Sequence, residues 1–428
     1  MIIELRIKNC FAFNEQVTFS MEADMRSKKF ASNVHRGTSF NVLKTAGVYG
    51  PNNSGKTCLT NCIQAIKLAM QNKNPKLLPN MFTDNDLCEL GITFQFSEKI
   101  YSYDFKFDED KEEYTYEKFM EISRDQYGNE KEDIWLCKDT KKESYFCKDK
   151  SIESMIPVFS RSKLLCYLID VDKFENMELI KNIITEFSSK IDIINMNDIP
   201  IEKTIDLMKN KNDLQIKVVN FIKNADIYMD NFEYLNWDEV GIRIDREDNK
   251  TDEKELDISE IPEKLLDQIR LASTYKGVRV PSIIFDSTGT KKITALAGYI
   301  MEALEKGRVL VVDELDSSIH FKITRAIVAM FNNELNTNAQ MIFTVHDINL
   351  MDCKRLFRKE QIWFIHKDDD AAYVYSLGDY TAAAQGIRDT TDIIEKYKKG
   401  VLGALPEPEL INSLLSIKGQ YRNNLPTC

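Results

Sequence analysis

Residues 47–57 read Gly47-Val48-Tyr49-Gly50-Pro51-Asn52-Asn53-Ser54-Gly55-Lys56-Thr57, and Gly50 to Thr57 fill the spacing GxxxxGK[ST] completely. The apolar run FNVLKTAGVY leads into this stretch, and TCLTNCIQAIKLAM, apolar at helical spacing, leaves it. A loop between strand and helix is the setting in which this spacing cradles phosphate. Its glycines let the backbone turn until N–H groups point inward, and the helix N-terminus faces the anion. Lys56 would reach the β- and γ-phosphates, and the Thr57 hydroxyl would ligate Mg²⁺. An accidental glycine turn is the alternative, but glycine is only 16 of 428 residues, so a chance match of this length is rare. Gly50, Pro51, Asn52, Asn53, Ser54, Gly55, Lys56 and Thr57 are therefore expected to bind a nucleoside triphosphate.

Two later runs have the complementary character. Val309-Leu310-Val311-Val312-Asp313-Glu314 is apolar until it ends in two carboxylates. A run buried on both faces suits a central parallel strand, and the C-terminal edge of such a sheet is where ligands bind. Asp313 would complete the Mg²⁺ shell, and Glu314 would polarise the attacking water. Met341-Ile342-Phe343-Thr344-Val345-His346-Asp347 repeats the pattern one helix later and ends in a histidine, placing His346 at the same edge of a neighbouring strand. Upstream, IIFDSTGTKKI (283–293) sets Ser287 and Gly289 at the start of another helix. They either cap that helix or form a second anion cradle, which would serve a nucleotide held by another subunit.

The rest of the chain sets bounds. Composition is that of an ordinary globular protein, 43% hydrophobic and 29% charged, with a formal net charge of −11. That balance disfavours a surface built throughout for nucleic acid but leaves a local basic groove open. No run is long and apolar enough for a membrane helix, and MIIELRIKN has no secretory pattern. Nine scattered cysteines without a CxxC pair, and four histidines without ligand spacing, point to reduced thiols and no structural metal. A cytoplasmic protein is expected.

Residues 1–107 read as strands around one helix and 265–428 as alternating strands and helices, so the two would build one α/β head from both ends of the chain. Between them, 108–264 mixes charge-dense pieces with amphipathic stretches and is expected to form an inserted, mainly helical arm or lid with strand pieces at its base. Lys367-Asp368-Asp369-Asp370 reads as a charged hairpin turn. Gln95, in GITFQF, is either a glutamine of the nucleotide site or, the stronger alternative, a surface-facing strand glutamine. Phe11 or Phe13 is a candidate for stacking on adenine, though core packing explains either aromatic at least as well.

The order of phosphate loop, long insertion, DSTGT, DELDSSIH and FTVHD resembles the ABC-type ATPase heads of SMC, RecF and OLD-like proteins. The ordered set NCFAF, GVYGPNNSGKT, DSTGTKK, DELDSSIH, FTVHDINLMD, QIWFIHKD and KYKKGVLGALP is similar to the RloA and abortive-infection ATPases of bacterial anti-phage loci. The resemblance implies a P-loop NTPase fold and an ATPase using ATP and Mg²⁺, with Glu314 and His346 catalytic. Two heads would sandwich ATP, with Ser287 and Gly289 acting in trans as a variant signature and Asp316 in a D-loop at the dimer interface. It also implies a homodimer or higher homo-oligomer that regulates a separate effector, RloB-like or a nuclease or toxin. With only about eighty residues after His346, a nuclease domain like that of OLD proteins is not expected in this chain. DSTGT lacks the second consecutive glycine of LSGGQ, and Phe321 stands where the related DELDxSLHP has proline. The alternative within the same resemblance is a RecF- or SMC-like repair ATPase whose insertion tracks duplex DNA.

Overall fold

The computed structural model describes residues 1–405 apart from 38–39, 126–127, 171–172, 211, 226–227, 237–261, 369–370, 381–386 and 388–390. The chain begins with β1 (Ile2–Lys8), β2 (Val17–Ser20), β3 (Val34–Arg36), β4 (Asn41–Leu43) and β5 (Thr45–Tyr49), then α1 (Lys56–Met70). Four long strands follow or flank a charged turn: β6 (Leu87–Phe96), β7 (Lys99–Asp108), β8 (Glu113–Arg124) and β9 (Glu130–Asp139), with β10 (Ser144–Cys147) after them. The middle of the chain adds α2 (Lys150–Glu153), α3 (Glu175–Ser189), β11 (Ile191–Asn195), α4 (Glu202–Lys209), α5 (Asp213–Asn224) and β12 (Asn231–Tyr234). The last third contains α6 (Glu263–Ile269), β13 (Leu271–Tyr275), β14 (Val278–Pro281), α7 (Ser282–Phe285), α8 (Thr288–Lys306) and β15 (Val309–Asp313). It ends with α9 (Phe321–Asn332), β16 (Gln340–Thr344), β17 (Ile362–Lys367), β18 (Ala372–Ser376) and α10 (Ile393–Lys398).

The site rests on a six-stranded sheet in the order β11-β15-β16-β5-β17-β18, parallel except for the last pair. Side chains alternate across it. Val309 and Val311 enter one core with Val48, Ile342 and Ile365, while Leu310 and Val312 enter the other with Met341, Phe343 and Phe364. This is why the strands read as unbroken apolar runs. Helix α1 covers the first face with Leu59, Ile63, Ile66 and Met70, each fully buried and each worth about 1.5–3 kcal/mol of burial. Helices α8 and α9 cover the second.

A seven-stranded antiparallel sheet, β10-β9-β8-β7-β6-β1-β2, closes the first core from outside. Gln340, fully buried at the start of β16, ties the two sheets together: its amide donates to the carbonyls of Ile2 and Leu43 and accepts from the Ile2 N–H.

The described residues of 108–264, expected as a mainly helical arm with strand pieces at its base, are mixed in structure. Their first part supplies three strands that widen the antiparallel sheet, and Ile191–Asn195 forms the edge strand beside β15. The strand character of β8 was hidden by its charges, because Glu117 points inward and is fully buried opposite Lys138 of β9. Tyr103 Oη and the Leu165 N–H donate to the Glu117 carboxylate. Helices α4 and α5 and strands β12 and β13 build a third cluster against α8. The acidic run DREDNKTDEKE lies outside the described residues. The expected turn after Lys367 joins β17 to β18, with Asp369 and Asp370 outside the described residues.

The eight described cysteines are free, and no group of metal-ligating residues occurs among the described residues. No described helix is long and apolar enough to cross a membrane.

His35 on β3 donates Nε2–H to the carbonyl of Ala339, just before β16, and burial lowers its pKa from 6.5 to about 4. The ring is thus neutral in the folded chain across mildly acid pH. As pH falls through 6.5 the unfolded chain takes up a proton that the native state refuses until about 4, so stability declines over that window. His35→Gln should therefore flatten the fall in urea midpoint between about pH 7 and about pH 5; an unchanged slope would remove His35 from the account.

Candidate functional site

The phosphate loop links β5 to α1 and is shaped by close contacts. A Cβ on Gly50 would lie 2.3 Å from the Ile365 carbonyl of β17, so only glycine permits this approach. Gly55, at φ 109, is the N-cap of α1, and its α-carbon faces Ala12 and Ala372. The Lys56 ammonium is turned back on its own loop, donating to the carbonyls of Gly50 (2.7 Å) and Pro51 (2.8 Å). Burial pulls its pKa below the usual lysine value, against the opposing pull of Asp313 and Glu314. Beside the loop a cleft of about 730 Å³ is lined by Pro51, Asn52, Asn53, Ser54, His366 and Lys367.

Asp313, at the end of β15, is buried, and its carboxylate collects three neutral donors. Thr57 Oγ1 lies 3.0 Å and Asn195 Nδ2 2.9 Å from Oδ2, and Thr344 Oγ1 is 2.6 Å from Oδ1. The parallel register of β11, β15 and β16 dictates this meeting, because it brings the strands' C-terminal ends to one edge. Glu314 follows in a left-handed conformation, φ 59, with its N–H donating to Thr344 Oγ1 at 2.7 Å. That turn separates the two carboxylates: Asp313 points into the sheet edge, while Glu314 stays partly exposed and accepts from Asn197 Nδ2 at 2.8 Å.

Asp316 does not reach outward. Its Oδ2 accepts the backbone N–H groups of His346 (2.9 Å) and Asp347 (2.7 Å), fixing the turn after β16. The His346 side chain is exposed. Ser287 caps α8 by accepting from the Thr290 N–H at 3.1 Å, so the capping alternative holds within the chain. Gly289 packs where a Cβ would lie 2.9 Å from the Ser318 carbonyl, and Lys292 donates to Ser317 O at 3.3 Å and to Ser317 Oγ at 3.2 Å. The start of α8 is therefore docked on the 316–318 loop of its own chain.

Three residues at the carboxylates escaped the sequence reading: Asn195, Asn197 and Thr344. The strand IDIIN is short and broken by Asp192, which is satisfied by Arg308 (2.6 Å) and Lys203 (3.0 Å). Thr344 was legible only as a polar residue inside an apolar run. Gln95 lies on β6 in the antiparallel sheet, paired with the β7 side of its hairpin, and it is Asn195 that meets Asp313. Phe13 is fully buried in the core, and Phe11 is half-buried.

A glycine-rich loop at a helix N-terminus, facing a buried aspartate on a parallel strand of the same sheet, is the arrangement of a P-loop nucleotide-binding fold. The chain belongs to the family described as "AAA domain, putative AbiEii toxin, Type IV TA system", whose model matches residues 46–352. Among solved structures it is similar to the SMC head domain from Thermotoga maritima, at 11% identity and TM-score 0.41, covering 88% of this chain and 98% of that one. It is also similar to an SmcHead bound to the C-winged helix domain of ScpA, at 13% identity and TM-score 0.43, covering 88% and 97%. A Pyrococcus furiosus Smc head with an extended coiled coil, bound to the C-terminal domain of ScpA, gives 13% and 0.38, covering 88% and 96%. Comparison with curated proteins gave no match.

The Thr344 hydroxyl joins Asp313 to the Glu314 backbone. Thr344→Val keeps the shape and removes both bonds, and should lower ATP turnover by roughly tenfold or more with little change in KM. Unaltered steady-state kinetics would show that this bridge does not matter.

Proposed function

We propose that this protein is an ATPase whose two copies close around ATP and whose opening and closing regulates a separate effector in bacterial anti-phage defence. The observation that carries the reading is the Thr57–Asp313 contact, a pair of oxygen ligands for a cation, with the carboxylate of Glu314 next in the chain. Thr57 and Asp313 offer hydroxyl and carboxylate oxygens that suit a hard cation such as Mg²⁺, which when bound would neutralise charge on the phosphates. Asp313 supports this fit, since its three hydrogen-bond donors are neutral.

The loop N–H groups would hold the phosphates of ATP, and Lys56 would exchange its contacts with Gly50 and Pro51 for phosphate oxygens. Glu314 would orient a water in line with the γ-phosphorus and accept its proton as the new P–O bond forms. The bond to the β,γ-bridging oxygen breaks, and ADP leaves. His346, exposed at the same edge, would contact the γ-phosphate. Ser287 and Gly289 of one copy would complete the nucleotide held by the other, with Asp316 shaping the loop between them. The family description carries toxin–antitoxin wording for this domain itself, and a defence role extends that wording to this chain.

Glu314→Gln should retain ATP and accumulate as a dimer in ATP and Mg²⁺, with turnover reduced by about a hundredfold or more. Size-exclusion chromatography with light scattering reads the outcome; a variant that remains monomeric contradicts the sandwich.

A further inference from the structure

We propose that Asn197 is a latch on Glu314, and that the latch is worked from the start of α8 through Ser317. The inference rests on the ATPase reading above and concerns how that same site is held in check.

Both ends of the Asn197 amide are engaged. Nδ2 donates to Glu314 Oε2 at 2.8 Å, and Oδ1 accepts from Ser317 Oγ at 3.1 Å. This fixes the orientation of the amide, because a flip would turn its oxygen toward a carboxylate. Ser317 is in turn held by Lys292 of α8, whose ammonium lies 3.2 Å from its hydroxyl and 3.3 Å from its carbonyl. Three side chains, Asn197, Ser317 and Lys292, therefore connect Glu314 to α8, the helix capped by Ser287.

The placement of Asn197 is itself determined. Asn195 accepts the Asn197 N–H at 2.8 Å while donating to Asp313, and the Met196 N–H donates to the Asp313 carbonyl at 3.0 Å. Met196 is fully buried, so the stretch Asn195-Met196-Asn197 is anchored at its centre. Each flanking amide then lies against one carboxylate of the Asp313-Glu314 pair.

The chemistry gives this contact a direction. A carboxylate that takes a proton from water needs a lone pair directed at that water. The Asn197 amide occupies one on Glu314 Oε2 and so holds that oxygen away from the water. The Glu314 backbone is held at φ 59 by the N–H bond to Thr344, so release requires only movement of side chains. Asn197 is exposed, so the bond sits at the solvent margin, where it can be exchanged for water. Gly289 leaves no slack against the Ser318 carbonyl, so a shift of the α8 N-terminus displaces the 317–318 turn and draws Asn197 with it. Contact of Ser287 and Gly289 with a nucleotide on another copy would in this way free the base in the copy that carries them.

The test is steady-state ATP hydrolysis by the full chain. Asn197→Ala should raise kcat about three- to tenfold with KM unchanged. Asn197→Gln, which keeps an amide donor, should return turnover toward the wild-type value. Lys292→Ala, at the far end of the relay, should act in the same direction as Asn197→Ala and covers the case in which that variant unfolds. Turnover of Asn197→Ala and Lys292→Ala at or below wild type, while Glu314→Gln still dimerises with ATP, overturns the latch and leaves the ATPase reading intact. A Glu314→Gln variant that stays monomeric overturns the reading, and the latch with it.

Discussion

The carboxylate of Asp313 joins three hydrogen-bonding partners drawn from widely separated parts of the chain: Thr57 at the start of α1, Asn195 at the end of β11 and Thr344 at the end of β16. A buried carboxylate without donors would be costly, and these three supply them. The geometry around it is thereby over-determined. Each parallel strand must end at the right residue for its side chain to arrive, so the register of the sheet and the shape of the site are one constraint. Glu314 inherits its position from this, since its backbone turn hangs on the same Thr344 hydroxyl.

Much of this was legible in the residues. The phosphate loop, the run ending in Asp313 and Glu314, and the run ending near His346 are each apolar stretches broken by small or charged residues at a fixed place, and the structure puts all three on adjacent strands of one sheet. What stayed hidden was hidden by compensated charge. Asp192 interrupts β11 yet is paired with Arg308 and Lys203, and Glu117 interrupts β8 yet is buried beside its hydrogen-bond donors. Periodicity treats a charged residue as a solvated one, and at these two positions pairing defeats the rule. Asn195 and Asn197 were lost along with β11, although they are the side chains that meet the two carboxylates.

The stretch around Ser287 shows the opposite case, a local signal with more than one structural consequence. Its serine caps α8, as capping residues do, while its glycine permits the helix to seat against the Ser318 carbonyl. The preceding residue, Asp286, is buried and accepts hydroxyl hydrogen bonds from Ser273 (2.7 Å), Tyr275 (2.8 Å) and Ser282 (2.6 Å). The β13–β14 hairpin and the start of α8 are thus joined, and the third hydrophobic cluster is linked to the site through them.

The way β11 joins the parallel sheet bears on how the molecule is made. Its neighbour β15 lies more than a hundred positions later, and β16 separates β15 from the strand that carries the phosphate loop. During synthesis on the ribosome, the loop emerges early but faces no aspartate, and β11 waits with both edges unpaired. The sheet edge cannot close around Asp313 until β16 has left the exit tunnel, so a truncated translation product would carry the loop without Thr344 to complete the cluster.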